Sequence, residues 1–119
     1  PLCWSRCGSS TPAHLPHVVN DSVFPAHFGV MSLITESDDI TYAILPQINT
    51  DSLNINSLQI SFYVSGKPIP GDDSYSLTIG VMNSPNNPAS FTPVQQMSGY
   101  SLGSYQHYSI PFYNYSGSG

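Results

Sequence analysis

The chain has 119 residues, 39% hydrophobic and 12% aromatic, which suits one domain with a single core and is too apolar for disorder. Only 8% of residues are charged, against roughly 25% in an ordinary soluble domain, and the net charge is −5 with Lys67 and Arg6 the only strong cations. That balance excludes a nucleic-acid binder, which needs clustered Lys and Arg against phosphates, and it opposes contact with an anionic membrane surface. No apolar run approaches the roughly twenty residues that span a bilayer as a helix. No signal peptide is legible, and the opening at Pro1 reads as mid-domain sequence, so a piece of a longer precursor is expected. The 11 Pro and 9 Gly are spread along the chain, as in a fold of many short strands and turns.

Cys3 and Cys7 stand on either side of Trp4. Two thiols are too few for a disulfide framework. They are either bridged through a tight turn or left as two small, partly buried thiols, and both readings stay open. A zinc site would need more ligands than His14 and His17 add, with Pro16 between them. Residues 20–27 read as loop. Strands are expected over 28–34 and 40–45, separated by the acidic turn Glu36-Ser37-Asp38-Asp39.

The clearest alternation runs over 57–65. Leu58, Ile60, Phe62 and Val64 fall on one face, and Gln59, Ser61, Tyr63 and Ser65 on the other. One face on a core and one toward water is the pattern of an antiparallel sheet. A second strand is expected over 74–82, with Tyr75, Leu77, Ile79 and Val81 alternating with small or polar residues. The stretch 66–73 between them carries two Gly and two Pro. It reads as a turn-rich loop that joins the two strands in a hairpin. Residues 83–88 are a strong loop signal. A short strand is expected over 92–97. Another is expected over 105–112, with Tyr108, Ile110 and Phe112 inward and Pro111 at an edge or bulge. Nothing repeats and no linker divides the chain, so residues 1–119 are expected to form one β-sandwich domain.

Few of these residues suggest catalysis. A jelly-roll glycoside hydrolase needs two carboxylates across a cleft, yet Glu36 is the only Glu, and Asp38 and Asp39 adjoin it in one turn. No Gly-x-Ser-x-Gly elbow is present, and His107 on a strand reads as an exposed or satisfied histidine rather than a base. No catalytic residue is assigned. Calcium could draw on Glu36, Asp38 and Asp39, or on Asp72 with Asp73, because clustered carboxylates and loop carbonyls supply its oxygens. The plainer reading, solvated acidic turns, is preferred for each. No cofactor is expected. Sugar binding rests on aromatic rings that stack on C–H faces, with Trp4, Tyr63, Tyr100, Tyr105 and Tyr113 as the candidates. The competing reading is that an outward Tyr merely favours a strand. Asn20-Asp21-Ser22 and Asn114-Tyr115-Ser116 fit the glycosylation pattern.

Six segments occur in a telling order: Cys3-Trp4-Ser5-Arg6, Tyr42-Ala43-Ile44-Leu45-Pro46-Gln47-Ile48, Ile55-Asn56-Ser57-Leu58-Gln59-Ile60-Ser61-Phe62-Tyr63, Leu77-Thr78-Ile79-Gly80-Val81-Met82, Phe91-Thr92-Pro93-Val94 and Tyr113-Asn114-Tyr115-Ser116-Gly117. In these the chain resembles the jelly-roll modules of Bacteroidetes surface proteins, of the cleaved-adhesin or choice-of-anchor J type within the MAM-like class. The resemblance implies a secreted, multidomain cell-surface protein with an adhesive or glycan-related role, and it fixes no ligand. In that family an earlier strand carries an acidic residue that helps hold calcium, and one more strand follows the Tyr-x-Gly turn. This chain has neither, and Cys7 departs from the pattern. Weak or no calcium binding is therefore expected, along with exposed sheet edges that limit stability or favour association.

The expectation is an all-β, antiparallel, jelly-roll-like sandwich, incomplete at both ends. It would serve as a noncatalytic binding or adhesion module, extracellular or on a bacterial cell surface. Its partner would be a glycan or a host or cell-surface protein, beside neighbouring domains of the same precursor, with no nucleic acid and no membrane insertion. The alternatives are an architectural spacer and a fragment of a secreted glycoside hydrolase.

Overall fold

A computed structural model describes residues 5–8, 17–19, 32–34, 40–48, 53–66, 76–98 and 103–117. Among them are eight β-strands, two short 3-10 turns and no α-helix. Every ladder is antiparallel, so the fold is all-β. No helix among the described residues is long and apolar enough to cross a membrane. The chain divides into two compact units, Pro1–Ile48 with Ser84–Ser90, and Asn49–Asn83 with Phe91–Gly119.

In the first unit, β1 (Ser5–Gly8) pairs with β4 (Thr41–Ile44), placing Cys7 opposite Tyr42. Strand β2 (His17–Val19) pairs with β3 (Ser32–Ile34). β3 falls within the strand expected over 28–34, whose residues 28–31 lie outside the described residues, and β4 falls within that expected over 40–45, whereas β1 and β2 carry no alternation that would announce them. All four residues of β4 are half-buried, while Ile40 and Leu45 on either side of it are exposed. The loop signal at 83–88 becomes a tight structure closed by Ser90. The Ser90 hydroxyl accepts from the Ser84 N–H at 3.0 Å and lies 2.8 Å from the Asn87 carbonyl. The Asn87 side chain accepts from the Ala89 N–H at 3.1 Å and caps the 3-10 turn Pro88–Ser90.

The second unit holds β5 (Gln59–Val64), β6 (Ser76–Met82), β7 (Phe91–Ser98) and β8 (Gln106–Pro111). The hairpin expected between 57–65 and 74–82 is corrected here. β5 pairs with β8 and β6 pairs with β7. The Asn- and Pro-rich loop after β6 turns the chain straight back as β7, and that local closure takes β6's pairing. The β5 partner comes from much farther along the chain. Its alternation is as expected, with Gln59, Ser61 and Tyr63 exposed and Ile60, Phe62 and Val64 half-buried. The strand begins two residues later than the alternation suggests, because Ile55–Ser57 is a 3-10 turn. Asn54 caps it, accepting from the Asn56 N–H at 3.0 Å, and Ser57 donates to the Asn54 carbonyl at 2.7 Å.

Strand β8 also follows expectation. Ile110 and Phe112 are buried, Tyr108 is half-buried, and His107, Ser109 and Pro111 are exposed. The Phe112 N–H donates to the Leu58 carbonyl at 3.0 Å, so the ladder runs one pair past Pro111. Successive N–H groups point to opposite sides of a strand, which leaves the proline's missing donor on the side away from β5. At the other end, the Gly103 N–H donates to the Gly66 carbonyl at 2.8 Å. Gly103 has φ +78°, a conformation that glycine adopts without strain.

Strand β7 carries a bulge. Ile79 faces Gln95, but Gly80 faces Pro93, so Val94 is the additional residue. A Cβ at Gly80 would fall on the Thr92 carbonyl oxygen and 2.6 Å from the Phe91 ring. Glycine is therefore required where Phe91 lies over the strand.

The core is a small cluster of Val81, Phe112 and Tyr115, with Ile55, Leu58, Ile60, Ile79 and Val94 packed against it. These residues come from both ladders of the unit, and they include five of the residues expected inside: Leu58, Ile60, Ile79, Val81 and Phe112. Phe62, Val64 and Leu77 are half-buried. Phe62 stacks on Tyr108 at a centroid distance of 6.0 Å. No described residue is fully enclosed.

Two outcomes are expected in urea denaturation. Phe112→Ala should cost about 3–5 kcal/mol, and Phe62→Ala about half as much, because Phe62 keeps contact with solvent. Equal losses would place Phe62 as deep as Phe112. Gly80→Val should cost about 2 kcal/mol or more by overpacking against Phe91 and Thr92, and an unchanged midpoint would contradict that close approach.

Candidate functional face

Pairing β5 with β8 sets up a second surface, opposite the core. Its three cross-strand pairs are Tyr63 with His107, Ser61 with Ser109, and Gln59 with Pro111. All six side chains are exposed. Period-two geometry makes this unavoidable: with Ile60, Ile110 and Phe112 inward, the residues between them face out.

The side chains on this face interact. The Tyr63 and His107 rings lie 4.8 Å apart between centroids, tilted by 43°. The Ser61 hydroxyl lies 2.7 Å from His107 Nε2. If the serine donates, the imidazole hydrogen sits on Nδ1; if Nε2 carries it, Ser61 accepts. In either case His107 is held against Tyr63 by a polar neighbour, and Ser61 retains a lone pair for another donor. The result is a two-ring platform at one end, hydroxyls in the middle and an amide at the far end.

The sequence candidates separate as follows. Tyr63 lies on this face, 44% exposed. Tyr105 is 36% exposed and directly precedes β8, at the Tyr63 end of the ladder. Tyr113 is 66% exposed, but it follows Pro111 at the opposite end. It sits in a turn closed by the Tyr115 N–H donating to the Phe112 carbonyl at 2.9 Å. The structure therefore does not gather these tyrosines into one cluster. Trp4, Tyr100, Glu36, Asp38, Asp39, Asp72 and Asp73 lie outside the described residues. So do all seven of the chain's carboxylates. Among the described residues no three His, Cys, Asp or Glu side chains are grouped as metal ligands.

The residue that sequence reasoning did not enlist is His107. Its ring completes the Tyr63 platform, and only knowledge of the β5–β8 register could have placed it there. The Ser61–His107 contact has the look of a nucleophile and its base. Both groups stand in solvent, however, where a hydroxyl gains little from a neighbouring imidazole.

No family model matches this chain, and no curated protein and no solved structure matches it either.

The contact between Tyr63 and His107 can be measured directly. A double-mutant cycle of Tyr63→Ala and His107→Ala is expected to give a coupling of about 0.5 kcal/mol, the scale of an exposed cross-strand aromatic pair. Strict additivity of the two losses would mean the rings do not support one another.

Proposed function

We propose that this chain is a noncatalytic, extracellular β-sandwich module that binds a glycan on the outward face of the β5–β8 ladder. The observation that carries the reading is the pair of exposed rings, Tyr63 and His107, in contact at 4.8 Å and flanked by Ser61 hydrogen-bonded to His107. Sugar recognition needs those two things side by side: a flat aromatic surface for C–H faces, and short polar groups for hydroxyls. The exposed Tyr63 ring, with His107 tilted by 43° against it, supplies the first, and the Ser61 hydroxyl supplies the second.

The sandwich reading is supported by the cluster in which Val81 and Ile79 of β6 meet Ile60 of β5 and Phe112 and Tyr115 beyond β8. Two ladders that share such a cluster suit two facing sheets. The jelly-roll surface-protein modules that six segments of the sequence resemble would bring an adhesive or glycan-related role, in line with this reading. The low charge, with polarity carried by Ser, Asn, Thr and Tyr, suits a surface that meets neutral polar partners.

A glycan array probed with the full chain tests the reading. Binding to a defined set of glycans is expected, with Tyr63→Ala weakening it roughly tenfold, the equivalent of about 1.4 kcal/mol of stacking. A spacer domain would bind nothing on the array. Binding that survives both Tyr63→Ala and His107→Ala would put the site elsewhere.

A further inference from the structure

We infer that the β5–β8 face takes a neutral, extended glycan chain lying along the strands, rather than an acidic sugar or a single terminal residue; this rests on the glycan-binding reading above. The first argument is charge. The six outward side chains are Gln59, Ser61, Tyr63, His107, Ser109 and Pro111. None is a carboxylate, an ammonium or a guanidinium. A carboxylated or sulfated sugar must shed water from its charge, and only a cation or a converging set of N–H donors offsets that cost. Here the polar offering is two serine hydroxyls, the Tyr63 phenol, one amide and an imidazole whose Nε2 is already engaged by Ser61 at 2.7 Å. The net charge of −5 adds a long-range field that repels anions.

The second argument is shape. The three cross-strand pairs follow one another along the ladder, so the strip from Tyr63 to Gln59 covers about 13 Å at roughly 3.3 Å per residue. Rings stand at one end, hydroxyls in the middle and the amide at the other end. A strip of graded chemistry is read by a ligand of comparable length. A monosaccharide would reach the rings or the amide, not both. The ring platform favours pyranoses with equatorial substituents, because these present unbroken C–H faces. Chains joined through equatorial bonds stay extended and can follow a strand. Unbranched β-1,4-linked glucose or xylose oligomers meet all of these conditions and serve as probes.

The experiment is calorimetric titration of the full chain, with Tyr63→Ala, His107→Ala and Ser109→Ala variants, against three ligand sets. These are β-1,4-linked glucose and xylose oligomers from one to six residues, β-1,4-linked glucuronate oligomers of matched length, and sulfated β-1,4-linked glucose oligomers. Thermal midpoints of the variants confirm that they are folded, as their exposed positions lead one to expect. Affinity should rise with neutral chain length to about three or four residues and then level off. Acidic oligomers should bind at least tenfold more weakly, and Ser109→Ala should weaken long neutral chains while leaving short ones unchanged. An acidic oligomer that binds more tightly than its neutral counterpart, and loses affinity in Tyr63→Ala, overturns the neutral class while leaving the face as the glycan site. Full affinity already at one sugar overturns lengthwise seating. Glycan binding untouched by Tyr63→Ala and His107→Ala, or binding of none of these probes, overturns the face itself.

Discussion

The second unit of this protein depends on a pairing between strands far apart in sequence. Ser61 and His107, bonded across the β5–β8 ladder, are 46 positions apart. Closing so long a loop costs chain entropy before any contact rewards it. The β6–β7 hairpin shortens the effective loop, because its own turn closes locally and brings the ends of the segment back together. The cluster around Val81, Phe112 and Tyr115 then holds the long-range pairing, drawing on both ladders. Tyr115 reaches this position through the turn after β8, and its ring folds over Gly117, where a Cβ would be 2.6 Å from the ring carbon bearing the hydroxyl. With so few buried residues among those described, each member of the cluster bears a large share of the stability they contribute.

The parts of the fold that were legible in the sequence are those where one strand face is apolar and nothing interrupts period two. β5 and β8 qualify, and their inward residues could be named from alternation alone. β7 does not. Its bulge at Val94 shifts the pattern, so its buried or half-buried apolar residues are Phe91, Val94 and Met97, at every third position. A three-residue spacing resembles neither a strand nor a clean helix, which is why only a weak strand could be read there. β1 and β2 are too short to carry a pattern. The pairing error has another cause. Neighbouring strands usually pair, and nothing in the sequence between β5 and β6, with Pro68 and Pro70, signals that the two strands belong to different ladders.

The candidate site divides along the same line. Tyr63 could be placed outward from its own strand, because its neighbours Phe62 and Val64 point the other way. His107 could not be assigned to it, because a cross-strand neighbour is a property of register and register is not written in either strand alone. The tyrosines chosen by residue type illustrate the limit. Tyr105 and Tyr113 are both exposed, yet β8 lies between them. Residue type identifies groups capable of a chemistry, and only pairing decides which of them act together.

Core and face are therefore two consequences of one register. The pairing that sets Ile60 opposite Ile110 on the inner side also sets Tyr63 opposite His107 on the outer side. Sliding β8 by one residue would turn Ile110 and Phe112 outward and carry His107 inward, losing the core and the ring platform together. The apolar cluster thus does more than stabilise the unit: by penalising that slip, it fixes the spacing of the exposed rings. The outward side chains need no buried neighbours of their own to hold position, which is why a face made of small polar residues and two rings can still present a defined surface. The chemistry of the face can change by substitution at Ser61, Ser109 or Gln59 without touching the core, whereas its geometry cannot change without breaking it.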